Sequence, residues 1–136
     1  KVLSLLIWPR GHFFASGAEI GYDLSAGSMG DAAFMNQILH IDYAGDNAGN
    51  YGVTGVPPYF SGIVFQYGST PYVEDWPDYF TPAYGGEIAL QYNNQLTAAV
   101  TYRDEQTATF VMGFAFETIT GAEQRAALMG RVWAFF

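Results

Sequence analysis

His12-Phe13-Phe14-Ala15-Ser16-Gly17-Ala18-Glu19-Ile20-Gly21-Tyr22-Asp23-Leu24 is the stretch on which the fold reading turns. It begins with a short apolar run, passes two glycines four residues apart, and continues into residues that suit a helix. A brief apolar run bounded by breakers reads as a buried strand, and the glycines let the backbone turn sharply after it. A strand that passes through such a turn into a helix is the repeating step of parallel α/β sheets. The expectation is therefore an α/β chain.

Before this stretch, residues 2–8 (VLSLLIW) form an apolar run that suits a buried strand or a short helix equally, and periodicity does not separate the two. After it, Asp31 is a candidate N-cap for a helix reaching Leu39, with Ala33, Phe34, Met35 and Ile38 on its inner side. Residues 41–81 are rich in Gly, Pro, Asn, Asp and Tyr. They read as an ordered, β-rich insertion of short strands and turns, with strands at 53–56 and 62–67. Three strands follow in close succession at 87–92, 98–102 and 107–114, separated by Asn93-Asn94-Gln95 and Arg103-Asp104-Glu105-Gln106. Residues 121–136 form a closing helix, with Ala126, Leu128, Met129, Val132 and Trp133 facing the sheet and Arg125 and Arg131 on the solvated side.

Composition narrows the functions open to the chain. Its 136 residues suit one domain, and half are apolar while 13% are charged, which is the balance of a folded chain. Thirteen acidic residues against five basic ones give a net charge of −8, a poor surface for nucleic acid. No apolar run approaches the roughly 18–20 residues of a transmembrane helix, because Pro9, Arg10 and His12 interrupt the first one. Residues 1–8 lack the basic start and small-residue cleavage site of a signal peptide, so an export signal would have been removed or would lie upstream. Cysteine is absent, which removes thiol nucleophiles, thiolate metal sites and disulfides together. A single lysine beside many Tyr, Asn, Gly and Thr leans toward an extracellular or cell-surface setting.

Two segments together resemble the class I glutamine amidotransferase-like domains of secreted bacterial multidomain proteins. The first is Phe14–Leu24 as quoted above. The second is Val111-Met112-Gly113-Phe114-Ala115-Phe116-Glu117-Thr118-Ile119, with Arg125-Ala126-Ala127-Leu128-Met129 following. Asp31-Ala32-Ala33-Phe34, Val53-Thr54-Gly55-Val56 and Trp76-Pro77-Asp78 lie between them in the expected order. The resemblance implies a flavodoxin-like three-layer α/β sandwich, incomplete at its N-terminus, with a β-rich insertion and a C-terminal helix. It also implies that residues 1–136 are a single domain cut from a longer one. A partner protein or a second copy would then complete the sheet, since an open edge invites pairing.

Active members of that family resemble one another at a nucleophile elbow, Gly-x-Cys-x-Gly, and at a His beyond a later strand. The matching positions here hold Glu19, within Gly17-Ala18-Glu19-Ile20-Gly21, and Glu117. Thiolate–imidazole chemistry needs both groups, so the resemblance implies a vestigial site. Glu19 and Glu117 would fall near each other, as structural carboxylates, as a metal site or as an acid–base pair. Glu19 would sit on a helix dipole, Glu117 would accept backbone amides near a strand end, and Asp23 would join the same network.

Elsewhere, Asp42, Asp46, Asn47 and Asn50 offer oxygen ligands for calcium in a Gly-rich loop, though without EF-hand spacing, so a turn-forming loop is the competing reading. Glu74, Asp75 and Asp78 beside Trp76 and Tyr79 suggest a carbohydrate surface, though such an aromatic cluster is more often core. His12 and His40 lack a third ligand at metal spacing, and His40 reads as a helix-terminal cation. Ser16 lacks the Gly-x-Ser-x-Gly frame. Gly17-x-x-x-Gly21 is not a dinucleotide fingerprint, and no phosphate loop is present. The expectation is a non-catalytic interaction or structural module of a secreted or surface bacterial protein. A self-assembling extracellular subunit and a carboxylate hydrolase using Glu19 and Glu117 are the alternatives.

Overall fold

The computed structural model describes residues 11–136; the apolar run at 2–8, with Pro9 and Arg10, lies outside the described residues. Strand β1 (Gly11–Ser16) forms where the short apolar run from His12 was read as a buried strand. Two short helices follow, α1 (Ile20–Ser25) and α2 (Met29–Gln37). The N-cap of α2 is Ser28 rather than Asp31. The Ser28 hydroxyl accepts the Asp31 N–H and the Asp31 carboxylate accepts the Ser28 N–H, a reciprocal capping box. Of the residues assigned to the inner side of α2, Met35 is buried and Phe34 packs partly against the core. Ala33 and Ile38 are exposed, and Leu39, just past the helix, takes the buried place instead.

Six of the strands are antiparallel neighbours or edges: β2 (Ile41–Gly45), β3 (Gly52–Gly55), β4 (Val64–Gln66), β5 (Tyr79–Pro82), β6 (Glu87–Tyr92) and β7 (Thr97–Arg103). β8 (Thr107–Met112) then lies parallel to β1, with Gly11 opposite Thr107 and Ser16 opposite Met112. The sheet runs β1-β8-β7-β6-β3-β4, and β2 with β5 joins it through a pairing of Phe80 with Thr97 on β7. A 3-10 turn (Phe116–Thr118) leads to the closing helix α3 (Ala122–Phe135).

This architecture corrects the flavodoxin-like expectation. Strand accounts for 34% of the described residues and helix for 25%, in one curled, mixed sheet of half-barrel form rather than a helix-flanked parallel three-layer sandwich. Among the described residues only β1 and β8 pair in parallel. The physical reason lies in residues 41–81, which are not an insertion beside the sheet. β3 extends it through an antiparallel ladder on β6, β4 adds antiparallel to β3, and β2–β5 fold against β7.

Period-two alternation sends side chains to two cores. Phe14, Phe110 and Met112 join Val53, Leu90, Tyr92 and Phe114 on the face covered by α3. Phe13, Ala15, Val100 and Val111 face α1 and α2 with Met35, Leu39, Ile41 and Phe80. Each large side chain so buried contributes roughly 1.5–3 kcal/mol over exposure. In α3, Leu128, Val132 and Phe135 make the docking face and Met129 borders it. Trp133 is 78% exposed and Ala126 is exposed, against expectation. A step of three or four residues from Leu128 reaches Val132 and Phe135, which leaves Trp133 on the outer surface. Arg125 and Arg131 are also not merely solvated. Arg125 donates to the Ile119 carbonyl at 2.6 Å, and Arg131 donates to the carbonyls of Tyr59 and Ser61.

Candidate functional site

Ser16 ends β1 directly opposite Met112, which ends β8. Beyond that line β1 turns through residues 17–19 into α1, while β8 turns through residues 113–115 into the 3-10 turn. Chains leaving the carboxyl ends of parallel neighbours open a crevice between them. Here it is an open cleft of about 340 Å³, lined by residues 16–18, by residues 72–75 arriving from the loop before β5, and by Ala115 and Glu117. The Ser16 hydroxyl accepts the Phe116 N–H at 3.3 Å across its base.

Two buried carboxyl groups tie the segment around residues 72–75 to this end of the sheet. Asp78 is wholly buried. Its Oδ2 accepts the N–H of Gly21 at 2.7 Å and of Tyr22 at 3.2 Å, groups of the first turn of α1 that lack helical partners. Its backbone N–H donates to the Gly113 carbonyl at 2.8 Å, and its carbonyl accepts the Tyr92 hydroxyl at 2.7 Å. Oδ1 is buried and has no hydrogen-bond partner among the described residues. Burial, only partly offset by the two amides and reinforced by Glu19 and Asp46, raises the Asp78 pKa to about 7. Glu74 is 3% exposed and its Oε1 accepts the Ala115 N–H at 3.0 Å. Burial raises its pKa as well, and Glu117 and Asp75 add to the rise.

The glycines follow from these approaches. A Cβ on Gly21 would lie 2.9 Å from the Phe80 ring and 3.1 Å from Asp78 Oδ2, so helix α1 can approach Asp78 only with glycine there. A Cβ on Gly113 would collide with the Asp78 carbonyl oxygen.

No protein-family model and no curated protein matches this chain. The site is accordingly read from its own geometry.

Glu117 lies in the cleft and is exposed; its Oε1 accepts the Tyr72 hydroxyl at 2.8 Å rather than a backbone amide. The amide-binding role expected of Glu117 falls to Glu74. Glu19 occupies the N-cap position of α1 without capping it through its side chain, and it acts electrostatically on Asp78 and Tyr43. Glu19 is not among the residues lining the cleft, whereas Glu74 and Glu117 both are. Asp23 follows within α1 and donates its N–H to the Glu19 carbonyl.

The calcium candidates divide. Asn47 and Asn50 turn their carboxamide oxygens onto the N–H groups of Gly49 and Gly52, which is turn chemistry. Asp42 is exposed on β2, 3.5 Å from the Asn36 amide, and Asp46 buries an unpartnered Oδ1 beyond the end of that strand. Among the described residues no three His, Cys, Asp or Glu side chains gather to hold a metal. Of the carbohydrate candidates, Asp75 lines the cleft and Trp76 stands 55% exposed beside it in sequence, whereas Tyr79 packs against the core.

His40 follows α2 rather than ending it. Its ring stacks on Tyr102 at 3.5 Å, and Nδ1 lies 3.0 Å from the Tyr84 carbonyl. Desolvation lowers its pKa, so it is a neutral stacked ring rather than a helix-terminal cation. His12 stacks on Phe136. Sequence reasoning missed the anchoring roles of Glu74 and Asp78. The signal was there in two acids four residues apart around a tryptophan, but their partners Ala115 and Gly21 lie 41 and 57 residues away.

Proposed function

We propose that this chain is a non-catalytic interaction module of a secreted or cell-surface protein, with the cleft beyond β1 and β8 as its binding face. The observation that carries this reading is the engagement of both cleft glutamates in holding loops. Glu117 accepts the Tyr72 hydroxyl, and Glu74 accepts the Ala115 N–H. The chain supplies no thiol, and its two histidines are stacked on Phe136 and Tyr102 rather than lining the cleft. The elbow glycines in the segment resembling the amidotransferase-like domains serve packing, as Gly21 does against Asp78 and Phe80. Strand β1 ends the sheet path with β8 as its one strand neighbour among the described residues, which favours a partner or second copy adding there.

The experiment is a turnover screen against ester, amide and glycoside substrates with wild type and Glu117→Gln. The module reading expects neither protein to turn anything over. Turnover lost in a folded Glu117→Gln variant would overturn it.

That outcome would support a second reading, a carboxylate hydrolase, for which one observation speaks. Glu74 has its pKa raised by burial, next to the exposed Glu117, and an acid–base pair needs two carboxyl groups with such unlike surroundings.

A further inference from the structure

The loop before β5 presents its middle to solvent while its flanks are fixed. On one side Glu74 is buried; its N–H donates to Gly68, its carbonyl accepts the Tyr51 hydroxyl, and its carboxylate holds Ala115. On the other, Asp78 is wholly buried against α1, Gly113 and Tyr92. Around and between them Tyr72, Val73 and Trp76 stand 47%, 67% and 55% exposed. Trp76 does so at φ +58, a backbone region costly for a bulky residue. Exposed aromatic and aliphatic side chains gathered on an ordered loop mark a contact surface.

Charge selects the occupant. The titratable carboxyl groups lining the adjoining cleft are Glu74, Asp75 and Glu117, and no basic side chain lines it. The three arginines among the described residues are engaged elsewhere: Arg103 with Phe135 and Tyr59, Arg125 with Ile119, and Arg131 with Tyr59 and Ser61. The cleft therefore has acceptors, an exposed aromatic ring in Tyr72 and no cation of its own among the described residues. A guanidinium satisfies all three features, because it donates to carboxylates in a planar fork and stacks on aromatic faces.

Resting on the reading of the cleft as a binding face, we propose that it docks an arginine-bearing basic segment of a partner protein. Asp75 and Glu117 take the guanidinium, and Tyr72 and Trp76 flank it.

The test is calorimetric titration of the chain with an acetylated, amidated Gly-Arg-Gly-Arg-Gly peptide, with its citrulline counterpart and with a short β-glucan as comparisons. Glu117→Gln and Asp75→Asn are expected to weaken arginine-peptide binding roughly tenfold each, with unchanged circular dichroism. Glu105→Gln, in the exposed turn before β8, should leave it unchanged. Added salt should weaken it further. Equal binding of the citrulline peptide, insensitivity to Glu117→Gln, no peptide binding, or binding of the glucan alone would each overturn the inference. None of these outcomes touches the module reading, which fails through turnover.

Discussion

Asp78 Oδ2 accepts the Gly21 N–H at 2.7 Å across 57 residues of sequence, joining the loop before β5 to the first turn of α1. That one carboxyl group fixes both the β1–α1 turn and one flank of the cleft loop. Its titratable neighbours are acidic or phenolic: Glu19 ahead of α1, Tyr22 in α1, Tyr43 and Asp46 from β2 and its exit, and Tyr92 from β6.

A pH dependence follows from this burial. The folded-state pKa of Asp78 is raised to about 7 from an ordinary 3.8, so the native state binds a proton that the unfolded chain releases. The stability tied to that proton is complete below about pH 4 and is lost as pH rises toward 7. Glu74 acts in the same direction. Thermal midpoints measured from pH 4 to 8 should therefore decline through this window for the wild type. In Asp78→Asn, where the group cannot ionise, the decline should be shallower. Parallel curves for the two proteins would show that Asp78 is not the group responsible.

His40 contributes with the opposite sign. Burial lowers its pKa beneath the usual 6.5, so its share of stability is present above that value and lost as pH falls through the folded-state pKa. His40 sits at φ +57, a conformation that asparagine tolerates, so His40→Asn removes the titration and the Tyr102 stack without a new backbone conflict. Its thermal midpoint should drop at pH 8 and converge toward the wild type at acid pH. A constant offset across the range would count against the neutral, stacked ring.

Gly113 has no left-handed backbone to explain it, so its requirement is one of space. Gly113→Ala puts a methyl into the Asp78 carbonyl, a backbone atom that cannot rotate away. Overpacking of this kind costs about 1–3 kcal/mol and more where backbone must move. For a chain of this size each 1 kcal/mol lowers the midpoint by a few degrees, so calorimetry should record a drop of roughly 5 °C or more.

The outer face of α3 gives the sharpest contrast between sequence and structure. Trp133 was expected inside, yet Leu128 and Val132 are buried and Trp133 is not. Leu128→Ala should cost about 2–5 kcal/mol, whereas Trp133→Gln should change stability by no more than about 0.5 kcal/mol. Chemical denaturation of both variants decides the helix phase; equal losses would put Trp133 back in the core.

What could be read from the sequence was what depends on local pattern. Continuous apolar runs gave β1, β7 and β8, and α3 showed itself through its length and its Leu128–Val132 spacing. β2 and β5 escaped because Asp42, Gly45, Thr81 and Pro82 break any strand-like run, and they are held by each other and by Phe80 on β7. Ser28-x-x-Asp31 did announce its capping box, but Asp31 alone was taken for the cap. The overall architecture was not legible at all, because a parallel start at β1 says nothing of antiparallel ladders that close 40 residues later. At the site, Glu117 was singled out only as the position matching a histidine in a resemblance, while Glu74 and Asp78 act on groups that no spacing rule connects to them.

Trp76 brings stability and function into opposition. A non-glycine residue in the left-handed region costs on the order of 1 kcal/mol, and its ring at 55% exposure recovers only part of the benefit of burial. Trp76→Gly should relieve the backbone and leave the chain as stable as the wild type or up to about 1 kcal/mol more so, the gain reduced by glycine's freer unfolded state. The same variant removes the side chain proposed to flank the guanidinium and should weaken the arginine peptide several-fold, as a lost cation–π contact of about 1 kcal/mol requires. Denaturant melts and peptide titrations on one preparation settle the matter. A variant that loses stability would mean the indole is a packing residue, and one that binds as tightly as the wild type would remove Trp76 from the surface that meets the partner.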